Sequence, residues 1–150
     1  MAKRKASRKP SRRQQVWARA GGCCEYCQLP HQYDPLPFHV EHIISKKHRG
    51  RKVIANLALS CSGCNLYKAS NIAGLDHETG RLTRLFHPRT DVWDEHFAWE
   101  GSVLVGKTSI GRTTVEVLNI NHPERVRLRK LLIRLRVFPP ERQAPASGSQ

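Results

Sequence analysis

Long apolar runs are missing from this 150-residue chain. No segment approaches the ~20 consecutive apolar residues with which an α-helix crosses a bilayer. The N-terminal stretch MAKRKASRKPSRR is basic but lacks the apolar region of a secretory signal. We therefore expect an intracellular, cytoplasmic protein without membrane spans. In a reducing compartment, the five cysteines favour metal ligands or free thiols over disulfides.

Acidic residues are scarce. Asp and Glu number 12 against 26 Lys and Arg, which gives a formal net charge of +14 and a pI near 10.3. Such an excess indicates a polyanionic partner, and nucleic acid is the commonest one. The alternative is that the chain is a basic amphipathic membrane binder. No recognition-helix pattern or zinc-finger array is present to read bases. We therefore expect binding that depends on phosphate contacts and carries little sequence specificity.

Internal repeats and heptads are also lacking, and the length fits one domain of modest core. Ser11 is placed to cap a helix over SRRQQVWARA that stops at Gly21-Gly22. The stretch FHVEHII alternates apolar and polar residues as a strand does. A short helix is expected to begin near Cys61.

The second half of the chain predicts further short elements. Turn signals flank a short strand in GLDHETGRLTRL, HFAWEGSVLVG reads as a hairpin turning at Glu100-Gly101, and TSIGRTTVEVLNIN could be a helix. Pro123 suits the first turn of a last helix. One face of that helix would carry an apolar stripe of Leu128, Leu131, Leu132 and Leu135. Off the stripe lie Arg127, Lys130 and Arg134, as a solvated basic face or a DNA-contacting one.

Four cysteines form two C-x2-C pairs, CEYC (Cys24, Cys27) and CSGC (Cys61, Cys64). Two such pairs can complete the four-sulfur shell that structural zinc prefers. A redox C-x-x-C is the alternative, but redox motifs usually occur singly beside a βαβ pattern. Cys23 does not fit the spacing and is expected to be a free or buried thiol.

The zinc clamp would enclose a group of polar residues. If residues 61–68 form a helix packed across the 38–44 strand, Asn65 can face Glu41, and their oxygens would suit Mg²⁺ or a similar hard ion. His42, at a strand end, could reach a water and act as a general base. Lys68 could contact a phosphate or be solvated.

These motifs, in the order Cys-x2-Cys, VEHI, NLAL and CSGCNLYK, resemble the HNH endonucleases over residues 23–70. The resemblance implies an α+β fold: a ββα-metal core clamped by a four-cysteine zinc site, followed by a hairpin and helices. The division expected along the chain is a disordered basic arm (1–13), the nuclease core (14–70), a C-terminal α/β extension packed on it (71–138) and a disordered tail (139–150).

The resemblance also implies residue roles. His42 would be the general base, Asn56 would hold the intervening loop, and Glu41 and Asn65 would ligate a catalytic Mg²⁺ or Mn²⁺. Glu41 stands where the family more often has Asp. The expected reaction is hydrolysis of DNA to 5′-phosphate and 3′-hydroxyl ends, by nicking or, in a homodimer, by double-strand cutting. Phosphate contacts are expected from Lys46, Lys47, Arg49, Arg51 and Lys68.

Two other functions compete. A non-catalytic zinc-ribbon module would bind nucleic acid without cutting it. A zinc-stabilised RNA-binding protein would expose aromatic residues for base stacking, for which the strand with Phe97 and Trp99 is the candidate. Roles stay open for His39, His48, His87 and Arg89.

Overall fold

The computed structural model describes residues 7–141, so residues 1–6 of the expected basic arm and 142–150 of the expected tail lie outside the described residues. The described part is of the α+β class, with small two-stranded sheets and short helices. Its elements are α1 (Arg12–Ala20), β1 (His39–His42), β2 (Leu57–Ser60), α2 (Ser62–Lys68), β3 (Ala73–Leu75), β4 (Leu82–Arg84), α3 (Trp93–His96), β5 (Phe97–Glu100), β6 (Val103–Gly106), α4 (Ser109–Val117) and α5 (Pro123–Arg134). No helix in this part of the chain is both long and apolar enough to cross a membrane.

Helix α1 begins and ends as the sequence predicts. The Ser11 hydroxyl accepts a hydrogen bond from the Gln14 amide at 3.1 Å, and the Gln14 side chain accepts one from the Ser11 amide at 2.8 Å. This reciprocal cap holds the first turn. Gly21 ends the helix at a φ of 61°, which glycine adopts without strain. The helix thus begins inside the segment that composition assigns to a disordered arm.

Strands β1 and β2 form an antiparallel pair in which His39 lies opposite Ser60 and His42 opposite Leu57. Every residue of β2 is buried, which its apolar sequence LALS explains. Helix α2 follows almost at once, with Cys61 as its N-cap, and packs against β1. The order strand, strand, helix places both cysteine pairs beside one hairpin.

Two further hairpins and α4 make up much of the C-terminal half. The β5–β6 hairpin and α4 confirm the sequence prediction, except that the turn lies at Gly101-Ser102, because Glu100 pairs with Val103. The GLDHETGRLTRL region forms two paired strands, β3 and β4, rather than one. Helix α4 packs against β6 and against the β3–β4 hairpin. At Gly74 a Cβ would lie only 2.6 Å from Val117 Cγ2, so the absence of a side chain there lets β3 approach α4 closely.

The apolar stripe predicted for α5 is wrong in half of its positions. Leu132 is buried at 3 % exposure, but Leu131 and Leu135 are 51 % and 61 % exposed. The helix turns a different face inward because Arg129, at 2 % exposure, finds acceptors in the interior: Ser102 O, Ile120 O and Asn121 Oδ1. The basic residues expected on the solvated face are exposed: Arg127, Lys130 and Arg134.

Polar contacts join the C-terminal half to the first cysteine pair. The Trp93 indole donates to Tyr26 O at 2.9 Å, and the Trp99 indole donates to Gln28 Oε1 at 3.0 Å. Arg89 forms an ion pair with Glu25. Buried apolar side chains from both halves of the chain form one cluster. The extension therefore packs directly on the segment that carries Cys24 and Cys27.

Candidate functional site

The four cysteine sulfurs of the two C-x2-C pairs converge. Their ligand atoms all lie within 4.8 Å of one another, and the four residues are buried. Cys27 Sγ and Cys61 Sγ are 3.7 Å apart. That separation matches the edge, about 3.8 Å, of a tetrahedron with Zn–S bonds of ~2.3 Å. Four buried thiols with this spacing could hold a zinc ion.

Cys23 lies apart from this cluster. It is half-buried, and its thiol contacts Gly21 O at 3.7 Å. Burial raises the pKa of this thiol, so it stays protonated at neutral pH. The structure agrees with the sequence interpretation of Cys23 as a free thiol.

Strand β2 ties the cysteine pairs together. The Glu25 amide donates to Leu59 O at 2.9 Å, and the Leu59 amide donates to Glu25 Oε2 at 2.8 Å. In the second cysteine pair, the Cys64 amide donates to Cys61 Sγ at 3.4 Å in the first turn of α2. These bonds fix the two zinc knuckles, Cys24–Cys27 and Cys61–Cys64, relative to the β1–β2 hairpin.

His42 is the last residue of β1. Its Nε2 atom is buried and has no hydrogen-bond partner among residues 7–141. Burial is the main cause that lowers its pKa, and the charges of Lys46, Lys52 and Lys68 lower it further. The lowered pKa favours the neutral form of the imidazole at neutral pH, and one ring nitrogen makes no hydrogen bond to the described part of the chain. Such a group can accept a proton.

Glu41 is engaged on the interior side of β1. Tyr26 Oη donates to Glu41 Oε1 at 2.5 Å, and Lys68 Nζ donates to Glu41 Oε2 at 3.1 Å. Burial raises the pKa of the carboxyl, while Lys68 and Tyr26 act in the opposite direction. A carboxylate has about four lone-pair sites. Two of them are used here, so Glu41 keeps the capacity to bind an ion.

The expectation that Lys68 contacts a phosphate or is solvated is wrong, because its ammonium is buried. It is 1 % exposed, and its ammonium also donates to His42 O at 3.2 Å. A buried carboxylate without a cation would be strongly destabilising, which explains why the lysine is drawn inside. Lys68 thereby links the Glu41 side chain to the backbone of His42.

Asn56 clamps the loop that joins β1 to β2. Its Nδ2 donates to Ile44 O and to Arg51 O, both at 2.9 Å, and its Oδ1 accepts from the Ile44 amide at 2.9 Å. At Gly50 a Cβ would lie 1.6 Å from Ile44 O, so only glycine fits this close approach. These contacts hold the backbone immediately after His42.

The remaining candidates are placed less centrally. Asn65 is half-buried on α2, one turn before Lys68, and within residues 7–141 no hydrogen bond joins its side chain to Glu41. His39 is exposed and contacts Ser62 Oγ at 3.3 Å. His87 Nδ1 accepts from the Arg89 amide at 3.1 Å, and Arg89 itself pairs with Glu25 at the first knuckle.

A basic surface borders His42. The loop after β1 carries exposed side chains at Lys46, Lys47, His48, Arg49, Arg51 and Lys52. The charges of Lys46 and Lys52 contribute to lowering the pKa of His42. The loop can therefore attract an anionic ligand to the end of β1.

Sequence reasoning missed three residues that support the site. Tyr26 was not distinguished within CEYC, although it supplies the hydroxyl bound to Glu41. Arg19 of α1 donates to Ile54 O at 3.1 Å and to Leu57 O at 2.6 Å, on either side of Asn56. Arg125 reaches the cysteine cluster from α5. Each acts across a long stretch of chain, and no local motif marks it.

Comparison with known proteins agrees with this geometry. Residues 24–71 match the family model of the HNH endonucleases. The matched segment contains both cysteine pairs and the β1–β2–α2 unit. The match confirms the resemblance seen in the sequence and supports a nuclease function in general.

A curated relative extends the match beyond the domain. The chain is similar to the Septu protein PtuB of Bacillus thuringiensis, with 29 % identity over 112 residues. The aligned region covers 73 % of this chain and 41 % of the relative, so the chain spans less than half the length of that protein. No solved structure gives a significant match.

Proposed function

We propose that the protein is a metal-dependent endonuclease that hydrolyses DNA phosphodiester bonds and leaves 5′-phosphate and 3′-hydroxyl ends. The observation that carries this proposal is His42, which lies beside a basic surface in the segment that matches the HNH endonucleases. Its imidazole is neutral, and one ring nitrogen has no hydrogen-bond partner among residues 7–141. A DNA-binding module without chemistry would not need this group.

In the proposed reaction, the imidazole of His42 takes a proton from a water molecule as that water attacks phosphorus. The new P–O bond forms while the bond from phosphorus to the 3′ oxygen breaks, and the 3′ oxygen is released and protonated. Lys68 and Asn56 hold the backbone that follows the imidazole, at His42 O and at Ile44. Their contribution is to keep the base oriented.

A divalent cation, Mg²⁺ or Mn²⁺, would be held by Glu41 and Asn65, and when bound it would stabilise the charge that develops on the leaving oxygen. The donor set fits, because carboxylate and amide oxygens are hard ligands. Glu41 has unused lone pairs beside its bonds to Tyr26 and Lys68. We further propose that the ion in the cysteine cluster is zinc, with a structural role.

The substrate would be held by phosphate contacts from Lys46, Lys47, Arg49 and Arg51, all exposed. Lys68 is not among them, because its ammonium is buried. DNA as the substrate is consistent with action in the cytoplasm. A homodimer would bring two sites together for double-strand cutting. RNA binding by stacking is less well supported, since Phe97 is buried and the Trp99 ring packs on Phe138 at 5.0 Å.

The test uses supercoiled plasmid with Mg²⁺, Mn²⁺ or EDTA. The wild-type protein should convert the plasmid to open-circle or linear form, and EDTA should prevent this. His42→Ala should abolish cutting, whereas His48→Ala, which changes an exposed histidine of the loop after β1, should keep it. DNA ligase should reseal the nicks without prior phosphorylation if the ends are 5′-phosphate and 3′-hydroxyl. Circular dichroism in EDTA checks that the fold survives.

The second candidate, a non-catalytic zinc-ribbon module, predicts a different result. Wild type and His42→Ala would then retard the plasmid equally and neither would cut it with any metal. Ligase-resistant ends would leave the nuclease proposal in place but contradict the products assigned here.

A further inference from the structure

Arg125 connects the last helix to the cysteine cluster. Its Nη2 donates to Cys64 Sγ at 2.8 Å and lies 3.5 Å from Cys61 Sγ. The residue lies on α5, far outside the HNH domain of residues 24–71. The cluster therefore has a neighbour that the domain itself does not supply.

The guanidinium is held in place from two other directions. Nη1 donates to Leu118 O at 3.0 Å and to Asn119 O at 3.1 Å. At Gly63, between the second pair of cysteines, a Cβ would lie 3.1 Å from both Cζ and Nε of Arg125. The side chain thus packs closely against the knuckle, and its position follows from several fixed contacts.

The charge of Arg125 matches what the cluster requires. Four thiolates around a divalent zinc ion carry a net charge of −2, and the four cysteines are buried. Charge in such a place is costly unless an opposite charge compensates it. Arg129 lies one turn further along the same helix, but its hydrogen bonds go to Ser102 O, Ile120 O and Asn121 Oδ1.

We propose that Arg125 is a positioning and charge-compensating residue of the zinc site, so that metal binding and docking of α5 stabilise each other. The inference rests on zinc occupying the cysteine cluster but not on DNA cleavage. Removal of a hydrogen-bond partner of a metal ligand typically weakens metal binding by about 10–100-fold. Because linkage is reciprocal, removal of the metal must also weaken the docking of α5.

The experiment measures zinc affinity of the full chain by competition with a chromogenic chelator. Arg125→Gln should weaken zinc binding by about 10–100-fold. Arg127→Gln, an exposed arginine of the same helix, should leave it unchanged. Arg125→Lys keeps the charge but loses the planar fork, and should recover part of the affinity. In wild type, zinc removal should speed hydrogen exchange of α5 amides.

The outcomes separate this proposal from its rivals. Zinc binding by Arg125→Gln equal to wild type would overturn it. Equal weakening by Gln and Lys would also overturn it, because the positive charge would then contribute nothing to zinc binding. A wild-type chain that binds no zinc would contradict the metal assignment itself, whatever its nuclease activity. If Arg125→Gln does not fold, Arg125→Lys against Arg127→Lys carries the test.

Discussion

Three hydrogen bonds from one side chain hold the loop between β1 and β2, and Asn56 makes all of them. Asn56→Ala should leave the Ile44 amide and carbonyl groups with poorer partners, at a cost of about 1–3 kcal/mol in the free energy of unfolding. The rate of plasmid cutting should fall by more than the loss of folded protein explains, since the loop directly follows His42. Urea unfolding and a cleavage assay on the same samples measure the two effects.

Asn71→Ala is the matched control, because Asn71 is exposed and lies beyond α2. It should change neither stability nor cutting. If Asn56→Ala loses stability and activity in the same proportion as unrelated destabilised variants, the clamp has no special role in orienting the base.

Strand alternation predicted part of the site residue by residue. Neighbours in a strand point to opposite faces, so the strand pattern alone predicts that Glu41 and His42 lie on different sides of β1. The partners of Glu41 could not be predicted, because Tyr26 precedes it by 15 positions and Lys68 follows it by 27. A buried ion pair between distant residues depends on tertiary packing, which local pattern does not encode.

At the level of elements, α5 shows how periodicity misleads when charged residues are buried. Leu132→Ala should cost about 2–5 kcal/mol in the free energy of unfolding, because the side chain is 3 % exposed. Leu131→Ala and Leu135→Ala remove the same atoms from exposed positions. They should change stability by no more than about 0.5 kcal/mol. Denaturant unfolding of the three variants measures this, and similar losses at all three would restore the predicted leucine stripe.

The β3–β4 hairpin is tied to α4 by an ion pair with a pH signature. Arg112 Nε and Nη2 donate to the two carboxylate oxygens of Asp76, each at 3.0 Å, and Thr79 Oγ1 adds a bond at 2.8 Å. The Arg112 hydrogen bonds are the largest cause that holds the pKa of Asp76 well below its usual value. The folded chain therefore binds this proton at lower pH than the unfolded chain.

The sign of the effect follows from that difference. Ionised Asp76 stabilises the fold above the unfolded pKa of about 3.9, and the stabilisation is lost as pH falls toward the folded pKa. The gap in unfolding free energy between wild type and Asp76→Asn should thus be widest at neutral pH and narrow below about pH 4. Glu95→Gln, an exposed acid on α3, is the control. Parallel pH curves for wild type and Asp76→Asn would contradict the assignment.

For the molecule as a whole, zinc binding at the cysteine cluster is expected to stabilise the fold. Cys24→Ser removes one of the four converging sulfurs, whereas Cys23→Ser removes the neighbouring thiol that lies apart. Wild type and Cys23→Ser should each contain one zinc per chain by elemental analysis, and Cys24→Ser should contain much less. Chelation should also expose amides of β1, β2 and α2 to hydrogen exchange.

Retention of zinc by Cys24→Ser, or its loss from Cys23→Ser, would show that a different set of sulfurs binds the ion. Spacing within C-x2-C was sufficient to select Cys24 over Cys23 from sequence. It was not sufficient to find Arg125, since nothing in PERVRLRK marks which arginine turns inward.

Both tryptophans of the C-terminal half donate to the first knuckle, Trp93 to Tyr26 O and Trp99 to Gln28 Oε1. Indole emission responds to the polarity and hydrogen bonding around the ring. Disruption of the knuckle would release both rings into water, so their fluorescence should shift to the red. The chain therefore carries its own optical gauge of the state of the cysteine cluster, readable in a cuvette without a dye or a label.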